Sequence, residues 1–410
     1  MHDTPRGDRL HIALFGRRNA GKSSLINALT GQNLAIVSPV AGTTTDPVYK
    51  AMEILPIGPV VLIDTAGLDD EGELGRMRVE KSLGVLDKAD LALLVVDPAQ
   101  GVGETERQLL EMAAAHGLPV LGVFNKMDRP ESEAATRGLE LAGVQEWVRV
   151  SALTGQGMAQ LKQAIVRAAP REWTAPTIAG DLVPPGKLAV LVVPIDLAAP
   201  KGRLILPQVQ TIRDLLDHDC LTMVVKEREL RAAIQQLKEP PALVITDSQA
   251  FLKVDADTPP GVPLTSFSIL FARYKGDLAT LVRGALAVEQ LLPGDRVLIA
   301  EACTHHRVAD DIGTVKIPRW LRQRVGGDLH FEWSSGISLP GRLDQYKLIV
   351  HCGACMINRR EMLSRIMTAQ EAGVPIVNYG VLIAYLHGIL RRALAPFPDV
   401  LALLDQEEVY

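Results

Sequence analysis

Leu10-His11-Ile12-Ala13-Leu14-Phe15 runs without a break into Gly16-Arg17-Arg18-Asn19-Ala20-Gly21-Lys22-Ser23, and that junction decides the fold. The apolar run reads as a buried strand, and residues 16–23 fit GxxxxGKS. A strand that opens through a glycine-rich loop into a helix, here residues 24–29, is the α/β arrangement that presents backbone N–H groups to phosphates. Gly16, Asn19, Ala20 and Gly21 would let the loop close around a β-phosphate. Lys22 would reach the β- and γ-oxygens, Ser23 would offer its hydroxyl to magnesium, and Ser24 would open the helix against the phosphates.

Working outward, residues 60–63 form a second apolar run that ends in Asp64-Thr65-Ala66-Gly67. There the Asp64 carboxylate can hold magnesium through water, and the Gly67 N–H can sense a γ-phosphate. Between the two motifs, Gly42-Thr43-Thr44-Thr45-Asp46 is a hydroxyl-rich loop in the place of a first switch, with Thr44 as its magnesium ligand. Lys22, Thr44, Asp64 and Gly67 are the expected catalytic set. Two more strand-like runs, Leu91–Val96 and Val120–Phe124, follow at βα spacing, and the second delivers Asn125-Lys126-Met127-Asp128. A carboxylate at Asp128 accepts from the N1–H and exocyclic amine of guanine, whereas adenine offers no matching donor pair on that edge. The expected ligands are GTP and GDP, with Ser151-Ala152-Leu153 closing over the base.

These motifs resemble those of the translation-factor-related GTPases that include the tRNA-modification, Era and EngA families. Leu68 stands where Ras-like proteins carry the glutamine that orients the attacking water, which predicts slow hydrolysis by the domain alone. The resemblance further implies that Asn19 coordinates a potassium ion, which would stimulate hydrolysis by supplying positive charge as an arginine finger does elsewhere.

At 410 residues the chain is long enough for two or three domains. A formal net charge of −5 gives no overall pull toward phosphate backbones, so nucleic acid is not an expected partner. Residues 1–9 carry no apolar signal run, and no stretch approaches the length of a membrane span, so the expectation is a cytoplasmic protein without a membrane partner. Four cysteines in such a chain are expected to be reduced thiols rather than a disulfide framework.

The expected organisation is a GTPase domain over residues 1–172, a small α/β docking domain over 173–262 and a third α/β domain over 263–410. Residues 170–185 are proline-rich and read as a linker. Beyond them, strands at 188–193, 221–225 and 242–245 alternate with helices at 208–216 and 230–237. Three short strands and two helices bury little by themselves, so homodimerisation through an extended sheet is expected there, with Cys220 as an inert buried thiol. In the last domain, strands at 296–300 and 346–350 immediately precede Cys303-Thr304-His305 and His351-Cys352-Gly353-Ala354-Cys355. Ligands gather outside the carboxyl ends of parallel strands, so adjacency of these two would bring Cys303 to Cys352 and Cys355. A helix over 358–372, capped by Asn358, would face its positive end toward the thiolates. Thiolates beside imidazoles suit structural zinc as well as a 4Fe-4S cluster, and the spacing alone does not choose.

The whole constellation resembles the FeFe-hydrogenase maturation GTPases, the HydF family. It carries a CxH motif followed by HCxxC, together with Phe267-Ser268-Ile269-Leu270-Phe271-Ala272-Arg273-Tyr274-Lys275-Gly276-Asp277. The resemblance implies a potassium-responsive GTPase, a dimerisation domain and an iron–sulfur domain in one chain. In it Cys303, Cys352 and Cys355 would hold a 4Fe-4S cluster, and His305 or His351 would be a candidate for a weak, exchangeable fourth position. It also implies a scaffold role, in which a transient diiron precursor is received and passed to apo FeFe-hydrogenase, with the radical-SAM maturation enzymes as further partners. Arg273 and Lys275 would place positive charge near that anionic cargo. An RNA-modification or ribosome-assembly GTPase with a structural zinc site is the alternative.

Overall fold

The computed structural model describes residues 6–31, 47–69, 77, 79, 81–170, 177–194, 204–302, 311–336 and 339–407. The chain forms two compact units, residues 1–175 and 176–410.

The first unit is built on strands β1 (Leu10–Phe15), β2 (Val48–Ile54), β3 (Gly58–Asp64), β4 (Leu91–Val96), β5 (Val120–Phe124) and β6 (Trp147–Arg149), in the order β2-β3-β1-β4-β5-β6. Only β2 runs antiparallel, against β3. Helices α1 (Lys22–Thr30), α2 (Glu104–Ala115) and α3 (Met158–Ala168) accompany the sheet. The unbroken apolar run of β1 follows from burial on both faces: Ile12 and Leu14 join one core while Ala13 and Phe15 join the other. Because β1 is flanked by β3 and β4, the loops leaving β1 and β3 meet at one end of the sheet.

The second unit holds two parallel sheets. One consists of β7 (Leu188–Val192), β8 (Leu221–Val225), β9 (Leu243–Thr246) and β10 (Leu264–Ser266), ordered β10-β9-β7-β8, with helices α4 (Leu206–Asp217), α5 (Leu230–Gln235) and α6 (Phe251–Asp257). Its fourth strand, β10, lies beyond residue 262, where the expected middle domain ends. The other consists of β11 (Arg296–Glu301), β12 (His330–Ser335), β13 (Leu348–His351) and β14 (Ile376–Asn378), ordered β12-β11-β13-β14. Around the two sheets pack α7 (Phe267–Lys275), α8 (Leu278–Leu286), α9 (Ile317–Val325), α10 (Arg359–Glu371) and α11 (Tyr379–Leu386).

These two sheets share one continuous core that runs from Ile178 to Leu404. The helix α7 supplies Phe267, Ile269, Leu270, Phe271 and Ala272 to it, all buried. Ser266 starts this helix by accepting the Ile269 N–H on its side chain at 3.2 Å. The class is α/β throughout, as the motif spacing predicts.

Candidate functional site

The phosphate loop takes its shape from two glycines. A Cβ on Gly16, at φ 151°, would lie 2.2 Å from the Val95 carbonyl oxygen, and one on Gly21, at φ 95°, would lie 2.3 Å from the Asn125 amide nitrogen. Asn19 and Lys126 also adopt the left-handed region, each at φ 62°. Lys22 is buried, and its ammonium donates to the carbonyls of Gly16 at 2.8 Å and Arg17 at 3.0 Å. Its charge is thereby held over the loop that it serves.

The magnesium residues predicted from sequence come together as far as they are described. Ser23 Oγ donates to Asp64 Oδ2 at 2.5 Å, while Asp64 Oδ1 is buried with no hydrogen-bond partner. Burial pushes the Asp64 carboxyl up, against the Ser23 hydrogen bond and the charges of Lys22 and Lys50. A hydroxyl touching a carboxylate that has one unpartnered oxygen suits a hard divalent cation, whose charge would reverse that upward shift. Thr44 lies outside the described residues. Gly67 approaches the loop closely, since a Cβ there would meet the Arg18 backbone nitrogen at 2.9 Å, and the Leu68 N–H donates to the Gly16 carbonyl at 3.3 Å.

On the base side a cleft of about 650 Å³ is lined by Gly21, Ser24, Asn125, Lys126, Asp128 and Ala152, among others. Asn125 spans it: its amide donates to the Ala20 carbonyl at 2.9 Å, and its oxygen accepts the Ala152 N–H at 3.0 Å. Ser151 Oγ donates to Asp128 Oδ1 at 2.5 Å. That bond, ahead of the nearby charges of Arg129 and Lys126, holds the Asp128 carboxyl below the usual carboxylate range, so it is ionised and ready to accept two guanine N–H groups. Leu153 is exposed at the cleft mouth. One anchor has no motif to announce it: Arg17 pairs with Glu106 at 2.8 Å, and Glu106 also accepts the Gly103 N–H at 2.7 Å, tying the phosphate loop to the start of α2.

In the second unit β11 lies between β12 and β13, so chain connections diverge at the carboxyl ends of β11 and β13. The register pairs Ala300 with His351. Immediately beyond, the Cys352 N–H donates to the Ala300 carbonyl at 2.9 Å, and the Ala302 N–H donates to Cys352 Sγ at 3.2 Å. The backbone one residue before Cys303 is thus bonded to the sulfur of Cys352. Cys303 and His305 lie outside the described residues, and among the described residues no group of three metal-ligating side chains is assembled. The donors present, two thiols on one loop with a third due one residue after Ala302, fit a sulfur-ligated metal or cluster.

His351 behaves differently from the ligand candidate of the sequence reading. It is 0 % exposed; its Nδ1 bonds the Cys352 carbonyl at 2.8 Å, and its Nε2 accepts from Arg365 Nη1 at 2.9 Å. Burial, reinforced by Arg365, lowers its pKa to about 4, so it is neutral with both nitrogens engaged. Arg365 also donates to the Gly336 carbonyl at 2.7 Å and to Glu361 at 3.3 Å. As predicted, Asn358 caps α10, accepting the Glu361 N–H at 2.9 Å. Of the two cations placed near the cargo by sequence, Arg273 turns to Asp181 at 2.7 Å and to the carbonyls of Thr177 and Ile178. Lys275 alone reaches the cysteine loop, at the Cys355 and Ile357 carbonyls.

Comparison with known proteins agrees with this division. Residues 11–126 match a family model described as a 50S ribosome-binding GTPase. The tRNA modification GTPase MnmE of Dechloromonas aromatica is 39% identical over 161 residues, covering 39% of this chain and 35% of that protein. The corresponding protein of Chromobacterium violaceum is 40% identical over 158 residues, covering 38% and 34%. The chain thus spans about a third of the length of the curated relatives it matches. Among solved structures, Era of Aquifex aeolicus aligns with a TM-score of 0.36 at 19% identity, over 61% of this chain and 99% of that one. The FeoB G-domain of Methanococcus jannaschii aligns with a TM-score of 0.28 at 28% identity, over 39% and 97%. Residues 178–276 match the hydrogen maturase F dimerization domain, and residues 279–396 match the hydrogen maturase F tetramerization domain. With those two domains tiling its second unit behind a P-loop domain that binds and hydrolyses GTP, the chain belongs to the hydrogen maturase F family of hydrogenase-maturation GTPases.

Proposed function

We propose that the protein is a GTP-dependent scaffold and carrier that assembles a diiron subcluster precursor and delivers it to apo FeFe-hydrogenase. The observation that carries this reading is the bond from the Ala302 N–H to Cys352 Sγ, which ties the chain just before Cys303 to one of the other two cysteines. Cys303, Cys352 and Cys355 would hold a 4Fe-4S cluster. When bound, it supplies an iron with an exchangeable coordination position on which the diiron cargo can be received. The engaged nitrogens of His351 favour His305 or an external ligand for that position.

In the GTPase unit, Asp128 would read guanine, Lys22 the phosphates, and Ser23 with Thr44 the magnesium ion, while Asp64 would hold the same ion through water. Gly16, Ala20, Gly21 and Ser24 would line the phosphates, Asn125, Lys126, Ser151, Ala152 and Leu153 the base. The Gly67 N–H would report the γ-phosphate. Leu68 leaves the water without a side-chain amide, consistent with slow turnover, and exposed Asn19 is available to the potassium ion that would stimulate it.

The dimerization and tetramerization matches point to self-association. We assign a homodimer contact to β8, the sheet edge, where Leu221 is 57 % and Val224 45 % exposed. The proposed domains are residues 1–172, 173–262 and 263–410, the last two sharing one core, with β10 of the third completing the sheet of the second. They would act in the cytoplasm with the radical-SAM maturation enzymes as donors and neither nucleic acid nor membrane as a partner. No described helix is long and apolar enough to cross a membrane. The RNA-modification alternative loses ground because the likeness to tRNA modification GTPases covers 39% of the chain, while residues 178–396 match maturase domains.

The test is anaerobic reconstitution followed by iron, sulfide and zinc analysis. The protein loaded with precursor is then incubated with apo-hydrogenase and hydrogen evolution is measured. Zinc without sulfide, or no hydrogenase activation by loaded protein, would defeat the proposal.

A further inference from the structure

The helix α7 ends in a lysine that the fold hides. Lys275 is 1 % exposed, yet its ammonium donates to the Cys355 carbonyl at 3.1 Å and the Ile357 carbonyl at 2.9 Å. The Phe271 ring, one turn earlier, lies 5.9 Å away. Removing an ammonium from water is costly, and these two carbonyl dipoles offset part of that cost. A methionine of similar length would fill the space at lower cost, so the position is occupied by charge for a reason other than packing.

The surrounding bonds show what the lysine holds. Arg359, in the first turn of α10, donates to the carbonyls of Tyr274 at 2.7 Å and Gly276 at 3.2 Å, closing the end of α7. Lys275 reaches the opposite way, into the loop that precedes α10. The two elements therefore clasp each other, Arg359 on the terminal carbonyls of α7 and Lys275 on the carbonyls of the loop before α10, with Cys355 inside the clasp. Arg365, the other buried cation under this loop, carries the Glu361 carboxylate with it.

We infer that Lys275 is a positioning residue for the iron–sulfur cluster, fixing residues 355–357 and making the bound cluster easier to reduce. The inference rests on the cluster reading proposed above. A cluster held by three thiolates is net anionic and becomes more so on taking up one electron, so a resident cation beside one ligand favours the reduced form.

The test compares full-length wild type, Lys275→Met and Lys275→Arg after anaerobic reconstitution. The readouts are iron and sulfide content, far-UV circular dichroism and a dithionite redox titration followed by EPR. In folded Lys275→Met that retains its cluster, the equilibrium constant for one-electron reduction should fall tenfold or more, about 59 mV toward negative potential. Lys275→Arg, which keeps the charge, should stay near wild type. If Lys275→Met loses its iron while Lys275→Arg retains it, the positioning role is upheld. A Lys275→Met cluster at wild-type potential overturns the inference, as does folded Lys275→Arg that behaves like Lys275→Met. Wild-type protein that binds no iron and sulfide sinks the cluster reading and the inference with it, a result distinct from a cluster that ignores Lys275.

Discussion

The backbone N–H of Ala302 donates to the sulfur of Cys352 at 3.2 Å, tying the carboxyl end of β11 to the loop that follows β13. The bond continues the ladder set by the Ala300–His351 register and the Cys352 N–H to Ala300 bond. Burial raises the Cys352 thiol above its ordinary value, and the amide works against that by favouring the thiolate. A metal would complete what the amide begins, because ligation requires the sulfur to be deprotonated.

Thiol reactivity in the metal-free protein should therefore be uneven. Cys352 and Cys220 are buried and Cys355 is half-buried, and burial also raises the Cys220 thiol. Iodoacetamide with peptide mapping should label Cys355 several-fold faster than either, roughly as exposure dictates. Equal rates at Cys352 and Cys355 would contradict the packing.

Asp128→Asn should weaken GTP by roughly 100-fold and improve xanthosine triphosphate, because an amide can donate to the carbonyl that replaces the exocyclic amine. Fluorescent-nucleotide titration reads this. The ionised carboxylate accepts from guanine, and the Ser151 hydrogen bond lowers its pKa, so wild-type GTP binding should persist to pH below the ordinary carboxylate range. Ser151→Ala removes the first cause of that lowering and should shift the loss to higher pH. An unmoved profile would disprove the role given to the Ser151 hydroxyl.

Ser23→Ala removes the hydroxyl that touches Asp64. Magnesium activation of GTP hydrolysis should require at least roughly tenfold more cation, measured by phosphate release against magnesium concentration. An unchanged requirement would mean that the Ser23 and Asp64 pair does not serve the metal.

Arg365→Met should lower stability by about 3 kcal/mol, since it strips the buried His351 Nε2 of a donor and breaks the buried ion pair with Glu361. Thermal unfolding should show it. The GTPase rate of the first unit serves as an internal control, and a melting point equal to wild type would refute the network.

Charges at the β8 edge, as Leu221→Lys with Val224→Lys, should lower the oligomeric state with little cost to the fold, because both side chains are exposed in the single chain. Mass photometry across concentrations decides, and an unaltered mass distribution would move the contact elsewhere.

Much of the first unit was legible because its strands are apolar on both faces and each ends in a motif. β1, β4 and β5 occupy the predicted residues, as does β8 in the second unit. β12 escaped notice because it is a half-exposed edge, reading His330-Phe331-Glu332-Trp333-Ser334-Ser335. β10 escaped because three residues carry no period. Arg273 and Lys275 look alike in sequence, two residues apart at the end of one helix. Their separate fates depend on Asp181, 92 residues away, and Cys355, 80 residues away. In sequence, His351 is one of two candidates for the weak fourth position because imidazole beside thiol suggests a ligand, whereas the arginine that bonds its Nε2 comes from the next helix, 14 residues on.

The single apolar interior linking Ile178 to Leu404 means that the association module and the cysteine module melt as one cooperative body rather than as two beads. Excision at residue 262 would bare the greasy flank of α7 and deliver insoluble halves, so dissection experiments on this protein should keep residues 177–407 intact.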